Sequence, residues 1–275
     1  MKLKTEIKLA KQPFEISHRD KIISFGSCFS ENIGEKLSRH KFDTLVNPFG
    51  ILFNPISVVR AIKECLEHIQ YSESDLNNNN EVYFSFNHHS KFSGLNKAEV
   101  VHKINSAIAN ANSYLNSSNT LILTFGTAWV YRIKETDEVV ANCYKLPNEV
   151  FNKELLSIQE IVAEVSDAID ILKSNNPELK IITAISPVRH WKDGVVENQQ
   201  SKATLHLALK EINENFLNSV YFPSYEILLD ELRDYRFYAD DMLHPSPVAI
   251  DYIWEKFGDF FFSSGTKKLN KRIEQ

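Results

Sequence analysis

The sequence predicts an α/β fold, a mainly parallel sheet with helices on both faces. Short apolar runs of strand length recur along the chain, and amphipathic stripes with helical spacing separate them. With 275 residues, 43% of them hydrophobic, and only 8 glycines and 9 prolines, the chain is long enough to bury a substantial core. It reads most simply as one domain over residues 1–275. The core is expected at about residues 20–262, between a short N-terminal segment and a basic C-terminal tail.

The first strand spans 22–25, within the run Lys21-Ile22-Ile23-Ser24-Phe25 that stops at Gly26. Two candidate nucleophiles, Ser27 and Cys28, follow at once. Ser30 reads as the N-cap of a helix reaching His40, with Glu31 in the first turn and Ile33 and Leu37 four residues apart. A strand, a glycine turn and a helix N-terminus together aim backbone N–H groups at the place where an oxyanion would form. The alternative is a buried structural cysteine at a strand end.

Asp43–Val46 is the second strand, and Val58, Ile62, Leu66 and Ile69 make the first helical stripe. Residues 72–81, with four consecutive asparagines, read as a polar loop and the least ordered internal region. Residues 82–86 alternate and suggest a short hairpin. Thr120–Phe125 is the third strand, after which 126–144 reads as an insertion with arms Val130-Tyr131-Arg132 and Val139-Val140-Ala141. Leu155, Ile158, Val162, Val165, Ile169 and Leu172 form a second stripe, and Leu205, Leu209, Ile212 and Phe216 a third. Lys180–Ile185 and residues 220–222 are the remaining strands. The stripes read as core faces, without a cofactor box.

Asp241 and His244 stand three residues apart in Asp240-Asp241-Met242-Leu243-His244-Pro245-Ser246-Pro247, just before a helix expected to start near Ser246. In so short a turn the carboxylate can fold back onto Nδ1–H of the histidine, leaving Nε2 free to take a proton from a nucleophile. An exposed acidic loop with an incidental histidine is the alternative. Arg189 and His190 follow the fourth strand at the sheet's carboxyl edge, where they are placed to contact an anionic or hydroxyl-rich substrate. Arg189 could equally pair with Glu197. His88 and His89 alternate across an expected strand, so only one can face a crevice, and without a nearby carboxylate they make a poor metal site. The aromatic and charged run from Glu231 to Tyr238 reads as support for the Asp241 turn rather than as a sugar-binding wall.

Composition narrows the function classes. A net charge of -5 argues against nucleic-acid binding, and Lys267, Lys268, Lys271 and Arg272 read as a solvated terminus. No run of about 18 apolar residues exists, so no transmembrane segment is expected. Met1 to Lys8 lacks the apolar core of a signal peptide, which makes a cytoplasmic location the default. Cys28, Cys65 and Cys143 are too widely spaced for a disulfide scaffold or a thiolate zinc site. Neither a metal nor a cofactor is expected, and the oligomeric state is not legible.

Gly26-Ser27-Cys28-Phe29-Ser30 resembles the signature that names the GSCFA domain family. Asn47 to Pro55, Leu123 to Tyr131, Ser186-Pro187-Val188-Arg189-His190 and Glu197-Asn198-Gln199 resemble further segments of that family. The first strand's glycine turn and Asp241-x-x-His244 are similar to the first and last blocks of the SGNH/GDSL hydrolase superfamily. This resemblance implies a three-layer α/β/α sandwich, SGNH hydrolase-like and flavodoxin-like, with small inserted hairpins. It puts Cys28 at the nucleophile position, Ser27 in reserve at the family aspartate, and Asp241 and His244 in the proton-handling pair.

The oxyanion donors implied are the Cys28 N–H and the N–H of Gly50, whose alternative role is a turn glycine with positive φ. Gly126-Thr127-Ala128 stands where the superfamily has Gly-x-Asn, so the side-chain donor is absent at Ala128; Thr127, Trp129, Asn87, His89 and Asn142 are the candidate substitutes. The activity implied is acyl-ester hydrolysis or acyl transfer on a small-molecule or glycan ester. The competing expectation is a catalytically silent module that binds a carbohydrate or acyl ligand in the same crevice.

Overall fold

A computed structural model of the protein describes residues 5–8 and 12–275. Part of the N-terminal stretch read above for leader character, residues 1–4, lies outside the described residues. In chain order the first elements are β1 (Lys21–Gly26), α1 (Cys28–Arg39), β2 (Asp43–Val46), α2 (Pro55–Leu66), the hairpin strands β3 (Asn77–Asn79) and β4 (Val82–Phe84), and α3 (Lys97–Ser117). Then come β5 (Thr120–Phe125), β6 (Trp129–Ile133), β7 (Val139–Val140), β8 (Phe151–Leu155), α4 (Ile158–Asn175), β9 (Lys180–Ile185) and α5 (Val195–Asn215). The chain closes with β10 (Ser219–Phe222), the short α6 (Ser224–Glu226) running into a π-type turn, α7 (Pro247–Phe261) and α8 (Ser264–Ile273).

Five strands form one sheet in the order β10-β9-β5-β1-β2, and every pairing is parallel. Side chains alternate across a strand, so adjacent residues serve opposite faces. Ile22, Ile122 and Ile182 pack with Phe29, Ile33 and Leu37 of α1 and with Ile253, Phe257 and Phe261 of α7. Their neighbours Ile23, Leu121 and Ile181 pack with α2, α3, α4 and α5 through Val58, Ile104, Ile169 and Leu209 among others. Burial on both faces is why β1, β5 and β9 read as continuous apolar runs.

The chain leaves β1 toward β2 on one side while β5 lies on the other, so the strand order reverses between β1 and β5. In open α/β sheets the crevice outside the strand ends at such a reversal is the ligand site. Cys28 and Gly126 stand at that place.

Several expectations need correction. The N-cap of α1 is Ser27, not Ser30: its Oγ accepts the N–H of Phe29 at 3.3 Å, and Cys28 is therefore the first helical residue. Ile69 falls beyond α2 and is exposed, and Leu155 belongs to β8 rather than to a helix. The asparagine run is a strand: Asn77–Asn79 pairs antiparallel with Val82–Phe84, with Asn80 and Glu81 both at positive φ in the tight turn. That is the backbone a two-residue hairpin turn demands. His88 and His89 lie beyond β4 in a turn, not on a strand.

The insertion has the two arms expected, with β8 added along the other edge of β6. Helix α3 has no counterpart among the stripes read above, although it buries Val100, Ile104, Ile108, Ala111 and Leu115. The basic tail is helix α8, anchored by Thr266 Oγ1 donating to Ile16 O at 3.2 Å and by buried Asn270, with Lys268, Lys271 and Arg272 left in solvent. No helix among the described residues is long and apolar enough to cross a membrane.

Candidate active site

Gly26 makes the turn into the site possible. Its φ is 144°, and a Cβ built on it would lie 2.1 Å from Thr124 O on the adjacent strand, so only glycine fits. Ser27 N–H then donates to that same carbonyl at 3.0 Å, which ties the α1 N-terminus to the end of β5. The Ser27 side chain is fully buried, leaving it no surface against which a substrate carbonyl could rest.

Cys28 is half-buried. Burial raises its pKa above the usual thiol value, and the Glu31 carboxylate on the next turn adds to this. The N–H groups of Phe29 and Cys28, and the charge of Lys202, pull the other way without winning.

The Asp241 turn forms as its spacing predicts. Oδ1 accepts the N–H of Leu243 at 2.9 Å and of His244 at 3.0 Å, and Oδ2 accepts Nδ1 of His244 at 2.6 Å. These three bonds to the charged form hold the carboxyl down to about 2. The loop is fixed from both sides, by Ala239 N–H to His244 O at 2.8 Å and by Arg189 N–H to Leu243 O at 3.3 Å. His244 is exposed, and no hydrogen bond joins it to Cys28.

His190 lies beside Gly126 at the end of β5. Its ring meets Phe53 edge-on, and Nε2 lies so close to Gly126 that an added Cβ would approach it to 2.9 Å. Asn198 Oδ1 accepts the His190 backbone N–H at 2.9 Å. Burial, followed by the charges of Lys202 and His244, lowers the His190 pKa to about 3, so the ring is neutral at physiological pH. Arg189 does not pair with Glu197; its guanidinium lies 5.3 Å over the exposed Trp191 ring.

Most of the expected oxyanion donors are engaged elsewhere. Gly50 N–H donates to Asn47 O at 2.8 Å, and the N–H groups of Gly126 and Thr127 both donate to Phe53 O, at 2.7 and 3.1 Å. Thr127 Oγ1 bonds Ser201 Oγ and accepts Trp129 N–H, and the Trp129 indole donates to Glu197 O. Asn87 is held in a network with Arg60, Glu64 and Tyr71, and Asn142 Oδ1 accepts Tyr144 N–H. His89 packs on Gly50, and its Nδ1 accepts the Lys91 N–H at 3.3 Å. His88 is buried in an aromatic cage of Phe49, Tyr71 and Phe92, away from the crevice.

The residue that sequence reasoning missed is Lys202. It is 1% exposed, and its Nζ donates to Gly126 O and Ser186 O, both at 2.7 Å, at the ends of β5 and β9. Burial lowers its pKa to about 7, with Cys28 raising it and Arg189 lowering it further. A signal was present: the stripe Leu205, Leu209, Ile212 continues backward along α5 onto Asn198, Ser201 and Lys202, and all three are buried. Polar residues on the buried face of a helix point to a polar site. Among the described residues no group of three or more His, Cys, Asp and Glu side chains is placed to hold a metal ion.

The sequence matches the model of the GSCFA family over residues 21–257. The chain belongs to the GSCFA family. The match takes in every residue of the site just described in this GSCFA protein. Comparison with curated proteins returned no match.

Among solved structures, a carbohydrate esterase family 3 protein from Talaromyces cellulolyticus is similar at 9% identity, with 93% of this chain and 98% of that one covered and a TM-score of 0.43. A family 3 carbohydrate esterase from Clostridium thermocellum is 12% identical over 93% and 99% of the two chains, with a TM-score of 0.39. An acetyl xylan esterase from the rumen bacterium Butyrivibrio proteoclasticus is 9% identical over 87% and 63%, at 0.45. Likenesses this loose assign no activity to the GSCFA chain, whose fold stands on its own strand order.

Proposed function

We propose that this GSCFA protein is an SGNH-like acyl-ester hydrolase or acyltransferase with Cys28 as nucleophile and His244, oriented by Asp241, as the proton carrier. The observation that carries this reading is the Asp241 turn. A carboxylate with both oxygens occupied by one loop, holding Nδ1–H of an exposed histidine and leaving its Nε2 without a hydrogen-bond partner among the described residues, is the arrangement a general base requires and one a pure binding protein has no need to maintain. The thiol would lose its proton to His244 Nε2 as sulfur bonds to the ester carbonyl carbon. The same proton would pass to the leaving alkoxide when the C–O bond breaks, and water or a sugar hydroxyl would then resolve the thioester. The backbone N–H of Cys28, at the α1 N-terminus beside its own thiol, is the donor best suited to an oxyanion, since that of Phe29 is taken by Ser27 Oγ.

An open groove of about 730 Å³ lies beside the Asp241 turn, lined by Asp241 and Leu243 but by neither Cys28 nor His244, so it suits the part of an O-acylated glycan that lies away from the scissile ester. Trp191, Tyr235 and Tyr238 line it together with Arg189, Leu229 and Met242, so the two tyrosines, expected from the sequence to support the turn rather than to form a sugar-binding wall, face the groove as well. Flat exposed rings suit sugar faces, and Arg189, which has no carboxylate partner among the described residues, suits an anionic substituent. Two observations favour the second reading, a silent carbohydrate- or acyl-binding module: the raised Cys28 thiol and the missing hydrogen bond between Cys28 and His244.

Incubation with an acetyl thioester or a short p-nitrophenyl ester, followed by peptide mass spectrometry, tests the choice. Acylation of Cys28 that disappears in His244→Ala is expected. Folded protein that acquires no acyl group from either donor would refute the enzyme and leave the binding module.

A further inference from the structure

We propose that the groove beside the Asp241 turn selects substrates whose sugar carries a carboxylate, as in a uronic acid, and that Arg189 is the residue that binds this carboxylate. The inference rests on the reading of the crevice as an acyl-ester site and names a substrate class for it. Arg189 follows β9 in the loop at the sheet's carboxyl edge, and its backbone N–H donates to Leu243 O at 3.3 Å. That bond ties it to the turn in which Asp241 Oδ2 accepts Nδ1 of His244. An anion on Arg189 is therefore held in a fixed relation to the proton carrier, as a specificity contact requires.

The guanidinium itself is unanswered. None of its five N–H donors makes a hydrogen bond or an ion pair among the described residues. Its carbon lies 5.3 Å over the Trp191 ring, a contact that steadies the cation without using any of its N–H groups. Nε is sealed from solvent with no acceptor, so no ligand reaches it. The donors left for a ligand are those of the two Nη groups, and their end-on pair of N–H bonds matches the two oxygens of a carboxylate.

The other charges of the groove wall are already paired. Asp230 meets Arg233 at 3.2 Å, Asp234 meets Arg236 at 3.0 Å, and Asp241 holds His244. Arg189 is thus the cation of this wall without a counter-charge among the described residues. Three carboxylates and one free guanidinium favour a monoanion over a phosphate dianion, whose second charge would face the aspartates with no second free cation to meet it. Trp191 and Tyr235, both largely exposed, add flat apolar faces on which a pyranose ring can rest. A carboxylate on a sugar ring uses both features at once.

Calorimetric titration with trigalacturonate, and with the same trisaccharide carrying methyl-esterified carboxyls, reads this recognition without turnover. Wild type should bind the acid form at least about tenfold more tightly than the methyl ester, because esterification removes the charge that the guanidinium meets. Arg189→Met, which breaks no side-chain hydrogen bond of the fold, should bind the two forms equally. Arg189→Lys, a point charge without the planar fork, should keep only part of the difference. Equal binding of the two forms by wild type, binding of neither, or an unchanged difference in folded Arg189→Met overturns the proposal. Tighter binding of glucose 6-phosphate than of glucuronate overturns it too, and would assign the guanidinium to a phosphate.

Should Arg189→Met fail to fold, Arg189→Lys takes its place, and an acid preference undiminished in that variant overturns the proposal equally. Acid-selective binding by protein whose Cys28 gains no acyl group would remove the proposed enzyme activity and leave the Arg189 assignment standing. Acylated Cys28 without acid selectivity would do the opposite.

Discussion

Replacing Lys202 with methionine keeps length and apolar stem but removes a charge that the fold buries completely, and the consequence is a change in how stability depends on pH. In the folded protein the ammonium titrates near 7, whereas in the unfolded chain it titrates at the ordinary lysine value of about 10.5. Below pH 7 both states carry the proton, and the folded state bears the full cost of burying the charge. Between about pH 7 and 10.5 the unfolded chain binds more protons, so stability rises with pH through that window. The full difference, about 3.5 pKa units, corresponds to about 5 kcal/mol, and the part that falls between pH 6 and 9 is about 3 kcal/mol.

Lys202→Met should lose that rise. It also leaves Gly126 O and Ser186 O without their donor, at a cost of about 1–3 kcal/mol each that does not vary with pH. Urea denaturation of both proteins at several pH values from 6 to 9 separates these effects. The wild-type advantage should grow by about 3 kcal/mol across the range. Parallel curves would refute the buried, depressed lysine whatever their vertical offset.

Four further outcomes are expected. Cys28→Ala and His244→Ala should each abolish ester turnover while melting within a few degrees of wild type, and Asp241→Asn should lower turnover by a factor on the order of 10⁴, because the histidine loses the anion that fixes its tautomer. Gly26→Ala should fail to accumulate as folded protein, since its Cβ meets Thr124 O at 2.1 Å and the φ of 144° is closed to alanine; a normal thermal transition would contradict this. Glu64 has its pKa raised by burial to about 7, so wild-type stability should fall by about 3 kcal/mol between pH 4.5 and 7 relative to Glu64→Gln, and denaturation at the two pH values checks it. Trp191→Ala should leave stability unchanged and raise KM for glycan esters more than for p-nitrophenyl acetate, because the ring lines the groove beside the proton carrier and is half exposed.

What depends on neighbours along the chain could be read from the residues alone. The inner strands β1, β5 and β9 are legible because both of their faces are buried, which forces nearly continuous apolar runs, and three of the five strands, β2, β5 and β9, match residue for residue. The Asp241–His244 bond is legible because a three-residue turn is enough to close it, and the cap at Ser246 marks the helix behind it. Helix α3 was legible in principle from Val100, Ile104, Ile108 and Ala111, but asparagines and serines crowd its exposed faces and weaken the pattern. The Asn77–Asn79 strand was not, since Asn77 and Asn78 stay in solvent, Asn79 is held by the distant Tyr144 O, and its pairing is set by the turn at Asn80 and Glu81.

Which groups around Cys28 remain available depends on how segments far apart in the chain pack together. Thr127, Trp129 and Asn87 all have suitable donors, and each is engaged with a partner far along the chain, while the Gly50 N–H closes a local turn on Asn47 O. Lys202 looks like any helix lysine until its head is found on two carbonyls that lie 76 and 16 residues away in the chain. A hydrogen bond or a charge acts over a few ångströms whatever the separation in sequence. The position of the Cys28 thiol, and the field it experiences, are therefore properties of the packed sheet ends rather than of the segment that carries it.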